Sequence, residues 1–144
     1  MTKRRRVLAY ITRERSGRTE LLVFAHREYP EVGIQVPAGR LEPGEELEAG
    51  LLREIEEEAG LTDVRIVREL PQFEDHYPSR YENHGFHVVL DGEAPDEWDH
   101  VVFGTGDDAG LTFRYRWVPI TPDLHLFERP HPLLMSLAEP MERA

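Results

Sequence analysis

GRLEPGEELEAGLLREIEEEAGL, residues 39–61, crowds Glu54, Glu56, Glu57 and Glu58 into about a turn and a half of any helix it forms. Pro43-Gly44 stands in front of the acidic run and Gly60 behind it, where a left-handed C-terminal cap is wanted, so a helix is expected over 45–59. Leu47, Leu51, Leu52, Ile55 and Ala59 recur at helical spacing and predict an apolar stripe suited to lying on a sheet. On the same projection Glu54, Glu57 and Glu58, at i, i+3 and i+4, fill an arc beside that stripe, while Glu56 points away from it.

A merely solvated face explains this helix poorly. Like charges at i, i+4 each cost roughly 0.2–0.5 kcal/mol, and anions in the last turn oppose the helix dipole. The helix contains no Lys, and its one Arg is Arg53. A divalent cation resolves the conflict, because hard Mg²⁺ or Mn²⁺ takes oxygen ligands and pairs carboxylates with substrate phosphates. A calcium loop is disfavoured, since no D-x-[DN]-x-[DN]-G pattern occurs, even around DEWD (96–99) or GDD (106–108). Gly39 and Gly44 suit turns, and a loop free of side chains also lets phosphate approach the backbone.

Outward from the helix, the chain reads as strands. VLAYIT (7–12) and ELLVFAH (20–26) predict a hairpin turning at Ser-Gly, and IQV (34–36) a short strand stopped by Pro37. VRIVREL (64–70), GFHVVLD (85–91) and LTFRYRWVPI (111–120) follow the helix as strands, the last with Leu111, Phe113, Tyr115 and Trp117 on one face. A second helix is expected over PLLMSLAE (132–139). This order predicts an α/β or α+β sandwich, a mixed sheet with a helix on each side. No repeat, low-complexity block or long linker divides the chain, so one domain over residues 1–144 is expected, which at this length buries roughly 70% of its unfolded surface.

Composition narrows the partners. The formal net charge of -11, from 17 Lys and Arg against 28 Asp and Glu, argues against long nucleic acid, and KRRR (3–6) reads as a solvated N-terminus. The absence of Cys excludes disulfides, zinc thiolates and cysteine nucleophiles, and suits a reducing compartment. No apolar run is long enough for a bilayer and no signal-peptide core follows KRRR, so a soluble, cytoplasmic protein is expected.

Gly39, five residues, Glu45, seven residues, then Arg53-Glu54-Ile55-x-Glu57-Glu58-x-Gly60-Leu61 resembles the Nudix box at every defined position. The flanking strands, Pro37, and the closing strand with its late helix also resemble the Nudix alpha-beta-alpha sandwich. The resemblance implies a pyrophosphohydrolase acting on a nucleoside diphosphate linked to another moiety. Dinucleoside polyphosphates, ADP-ribose, nucleotide sugars and NTPs are all candidates. It implies Mg²⁺ as cofactor, with Mn²⁺ as substitute. Carried over residue by residue, it makes Glu57 and Glu58 the main metal ligands, Glu54 a further ligand or the water-activating base, and the Ala38 carbonyl a backbone ligand. Arg53 then orients the glutamates and Glu45 helps from the helix start.

The segment FEDHYPSRYENHGFH (73–87) is the first candidate for base recognition, being dense in aromatics, His and Arg between two strands. Tyr77 lies near the place of a tyrosine in diadenosine-polyphosphate hydrolases, whereas Pro78 lies near a proline associated with ADP-ribose hydrolases. Arg27, Arg80 and Gly39 complete the candidate substrate contacts. No zinc-site spacing joins His76, His84 and His87, and His87, Trp98 and Trp117 read as packing residues. A binding or sensing module without catalysis would not need the full set of box glutamates, and an isopentenyl diphosphate isomerase would need a cysteine. A homodimer is compatible with this reading.

Overall fold

The computed structural model describes residues 4–75, 81–126, 131 and 134–138. Strands β1 (Arg4–Arg15) and β2 (Arg18–His26) form the expected hairpin. Its two turn residues, Ser16 and Gly17, have φ of 53° and 77°, the left-handed pair whose twist matches that of antiparallel strands. After a 3-10 turn at Pro30–Val32 come β3 (Ala38–Arg40), helix α1 (Leu47–Ala59), β4 (Val64–Glu69), β5 (Phe73–Asp75), β6 (Tyr81–Leu90), β7 (Glu97–Val101) and β8 (Thr112–Pro119). They build one eight-stranded mixed sheet in the order β4-β6-β1-β2-β8-β7, with β3 paired to β1 and β5 to β6.

β1 explains its own sequence. It pairs in parallel with β6 from Arg4↔Tyr81 to Thr12↔Val89 and antiparallel with β2 and β3, so both edges are paired, and with a core layer on each face VLAYIT is buried throughout. Val7, Ala9 and Ile11 join Leu51, Ile55 and Ala59 of α1 in one core layer. Leu8 and Tyr10 join Leu134 and Leu137 in the layer on the opposite face. Phe113, Tyr115 and Trp117 of β8 share the α1 layer, as the alternation of that strand predicts.

Four expectations change. Of IQV only Gln35 makes a bridge, to Phe24, and the strand proper begins beyond Pro37, whose carbonyl accepts from Ala9 N at 2.8 Å and so continues the ladder without an N–H. Leu52 is 43% exposed, because the buried arc of α1 is rotated to take in Glu54 and Glu58 instead. Within 132–139 the described residues Leu134–Ala138 form a 3-10 helix, in which Leu134 and Leu137, three apart, both reach the core. The pairings of β5 and β7 were not anticipated. Trp98, on β7, stacks on Tyr115 with ring centroids 5.0 Å apart, and His87 is buried with Thr12 Oγ1 2.8 Å from its Nε2. Burial, with Arg68 and Arg65 nearby, lowers the His87 pKa to about 4.

Candidate active site

Helix α1 ends at Gly60, whose φ of 74° lets its N–H close on Glu56 O at 2.9 Å. The next three carbonyls are capped by side chains and backbone from elsewhere. Glu57 O accepts from His100 Nε2 at 2.8 Å and Phe103 N at 3.2 Å, Glu58 O from Tyr115 Oη at 2.9 Å, and Ala59 O from Trp98 Nε1 at 3.2 Å. These bonds satisfy the open end of the helix and pin it to β7 and β8.

The glutamates of this turn meet Arg53. Its Nε and Nη2 hold Glu45 Oε2 and Oε1 at 2.7 and 2.8 Å, and its Nη1 reaches Glu54 Oε1 at 2.9 Å and Glu57 Oε2 at 3.0 Å. Nη2 also donates to the Arg40 carbonyl at 3.2 Å, so one guanidinium ties the helix start, the helix end and β3 together. Glu58 lies deeper and accepts from Ala38 N at 3.1 Å. Gly39 is required by contact, since a β-carbon there would fall 2.1 Å from the Glu54 carboxyl carbon.

Burial sets the protonation. It pushes the Glu54 pKa up to about 7 despite the opposing pull of Arg53. It pushes Glu58 well above the ordinary carboxylate range, with the Glu54 charge adding to the effect. Glu45 moves down instead, because its hydrogen bonds from Arg53 favour the anion. Glu56 is exposed, as the helical projection requires.

A cavity of about 760 Å³ opens over Gly39, Arg53, Glu54, Glu57 and Glu58, and Ala38 lines it as well. Of the other sequence candidates, Arg27 is not among the lining residues. Its side chain is 65% exposed and its Nη1 lies 3.3 Å from Asp99 Oδ2. Tyr77 and Arg80 lie outside the described residues. The cavity instead recruits Arg6, Phe24, His26, Gln35 and Tyr81, with Phe103, Asp107 and Asp108 from the loop before β8. Tyr81 belongs to the 73–87 segment expected to read the base, although residues 73–75 and 81–87 are strand rather than loop, and the other residues were not expected at the site. Gly104 in that loop has φ of 102°, and a β-carbon on it would lie 2.4 Å from Glu57 Oε1.

Among the described residues no three His, Asp or Glu side chains are gathered as a metal site as they stand. The donors nevertheless suit a hard divalent cation. Glu54, Glu57 and Glu58 offer only carboxylate oxygens to one cavity, two of them are buried, and among the described residues Arg53 is the single cation bonded to this group.

A model of the NUDIX domain matches residues 2–129. This chain belongs to the Nudix family. Among curated proteins, none matches the chain by sequence. Solved Nudix-fold structures do. The Caenorhabditis elegans Ap4A hydrolase aligns with a TM-score of 0.58 and 20% identity, covering 82% of this chain and 81% of that one. The NUDIX domain of Shewanella oneidensis NrtR, crystallised with ADP ribose, aligns at 0.62 and 14% identity, covering 83% and 74%. A UDP-X diphosphatase aligns at 0.64 and 19% identity, covering 95% of this chain and 61% of that one. Likeness at such low identity establishes the shared Nudix fold, a mixed sheet with α1 laid across it.

Proposed function

We propose that this Nudix pyrophosphohydrolase uses a divalent cation, Mg²⁺ or Mn²⁺, to cleave a diphosphate linkage in a nucleoside diphosphate derivative. The observation that carries the reading is the pair of buried carboxylates, Glu54 and Glu58, which share one cavity with Glu57 and a single bonded guanidinium. Glu54, Glu57, Glu58 and the Ala38 carbonyl would hold the cation. When bound, it supplies charge neutralisation at phosphorus and a lowered pKa for bound water.

The chain's own residues do the rest. Arg53 fixes the Glu54 and Glu57 carboxylates through Nη1 while its Nε and Nη2 are anchored on Glu45. Glu54 would serve as a further ligand or as the base that takes a proton from the attacking water. Gly39 admits the Glu54 carboxylate beside the backbone of β3 and so lets it face the cavity. The Ap4A and UDP-X named for two structural neighbours, and the ADP ribose bound to a third, support a substrate of this class. The whole chain would act as one Nudix domain in the cytoplasm. Among the described residues no helix is long and apolar enough to cross a membrane.

The test is a panel of nucleoside diphosphate derivatives assayed with Mg²⁺ and with Mn²⁺, products resolved by chromatography. Metal-dependent release of a nucleoside monophosphate or a phosphorylated partner is expected. Activity undiminished in excess EDTA, or no turnover across the panel, would overturn the proposal.

A further inference from the structure

Arg6 and Arg40 are register partners across the antiparallel β1–β3 ladder, and both line the cavity over the glutamates. Directly opposed residues in such a ladder have β-carbons about 4.5–5.5 Å apart, and like charges there are destabilising. The juxtaposition is notable in a chain whose net charge is -11. Each guanidinium is steadied from outside the glutamate cluster. Arg6 Nε donates to Oδ1 of the fully buried Asn83 at 2.8 Å, with the guanidinium carbon 5.6 Å from the Tyr81 ring centroid. Arg40 Nη2 donates to Asp107 at 2.7 Å, a carboxylate on the loop before β8 whose side chain is 86% exposed. Arg53, the third guanidinium of the cavity wall, is engaged by Glu45, Glu54 and Glu57.

We propose that Arg6 and Arg40 form an anion subsite for a phosphate beyond the scissile pair, so that the preferred substrates carry three or more phosphates. The geometry behind this is one of opposite signs sharing one cavity. The glutamate end serves the bridging phosphates, and the paired guanidiniums offer planar, charge-assisted donors to the next one. Asp107 is the carboxylate that such a phosphate would displace from Arg40. A surface ion pair of this kind is weak, so an incoming phosphate displaces it readily. This proposal deepens the diphosphate-hydrolase reading and rests on it for the direction of the phosphate chain.

The experiment is calorimetric titration of inorganic tripolyphosphate and of pyrophosphate in Mg²⁺ buffer, against the wild type and the variants Arg6→Gln, Arg40→Gln, Asp107→Asn and Arg27→Gln. Wild type should bind tripolyphosphate about tenfold or more tighter than pyrophosphate, and either cavity Arg variant should erase most of that difference. Arg27→Gln should change nothing. Asp107→Asn should tighten tripolyphosphate binding, a gain that misfolding cannot mimic. Equal binding of the two anions by wild type, or a preference that survives both cavity Arg variants, overturns the subsite. If the subsite behaves as stated but no nucleoside diphosphate derivative is hydrolysed, the functional reading fails and the anion site stands. If hydrolysis is robust and the preference is absent, the reverse holds.

Discussion

Arg53 grips both carboxylate oxygens of Glu45, at 2.7 and 2.8 Å, across the eight positions that separate them in the helical segment. That fork leaves Nη1 to hold Glu54 and Glu57. Lysine has one point of charge and cannot span these partners. Arg53→Lys should therefore lower kcat by about 10²-fold, the scale of a misplacement near 1 Å, and Glu45→Gln should lower it less but in the same direction. Steady-state kinetics beside a thermal melt would check this, and full activity in Arg53→Lys would contradict it.

Placement rather than total acidity is expected to matter. Glu54 is buried against Gly39, whereas Glu56, two positions on, is exposed. Glu54→Gln should cost orders of magnitude in kcat, since it strips a ligand or the base beside the attacking water. Glu56→Gln removes the same charge and should leave kcat and metal dependence nearly unchanged. Equal losses in the two variants would refute the individual assignments.

The loop before β8 gives a second discriminating pair. Gly104 combines φ of 102° with a β-carbon position 2.4 Å from Glu57 Oε1, while a β-carbon on Gly106 would meet nothing within 4 Å. Gly104→Ala should displace the Glu57 carboxylate and reduce turnover by about tenfold or more. Gly106→Ala should behave as wild type. The comparison is read as kcat at saturating cation, and comparable losses in both would mean that the loop acts through flexibility rather than contact.

The metal-free protein should lose stability as pH rises. Burial lifts Glu54 from the ordinary 4.5 to about 7 and raises Glu58 well above the ordinary carboxylate range, so the folded state holds protons that the unfolded chain has released. Their contribution is full below about pH 4.5 and declines as pH climbs through 7. His87 acts oppositely, because its pKa falls from 6.5 to about 4, and the stability it contributes is lost as pH drops through that range. In chelator, Tm should fall between pH 6.5 and 8, Mg²⁺ should restore it, and Glu54→Gln should remove part of the fall. A Tm that rises steadily across that interval in chelator would contradict the assignment.

The sequence was informative wherever a rule is local. The Gly60 end of α1, the Ser16-Gly17 turn and the face of β8 all follow from periodicity and capping within a few residues, while the helix begins at Leu47, two residues later than expected. Leu52 was misjudged because the projection counted only apolar residues, whereas the buried arc includes Glu54 and Glu58. The same counting kept the site at the edge of the core, although two of its carboxylates lie inside it. Arg6, Gly104 and Asp107 stayed illegible for another reason. Arg6, read as part of a solvated KRRR, and Asp107, read in GDD only against a calcium loop, enter the cavity through strand pairing and loop return, and Gly104 meets Glu57 by the same loop return. Arg27 satisfied the residue type expected of a phosphate contact, yet its strand end faces Asp99 instead.

The caps on the end of α1 bear on the order of biosynthesis. His100, Phe103 and Tyr115 reach carbonyls of Glu57 and Glu58 from segments made some forty to sixty residues later. A ribosome that has released the acidic helix has thus not yet delivered the groups that fix its final turn. Until Tyr115 emerges, that turn can fray and its glutamates stay hydrated. The geometry of the glutamate turn therefore waits on residues far along the chain, and a product truncated before Tyr115 would lack the bonds that fix it.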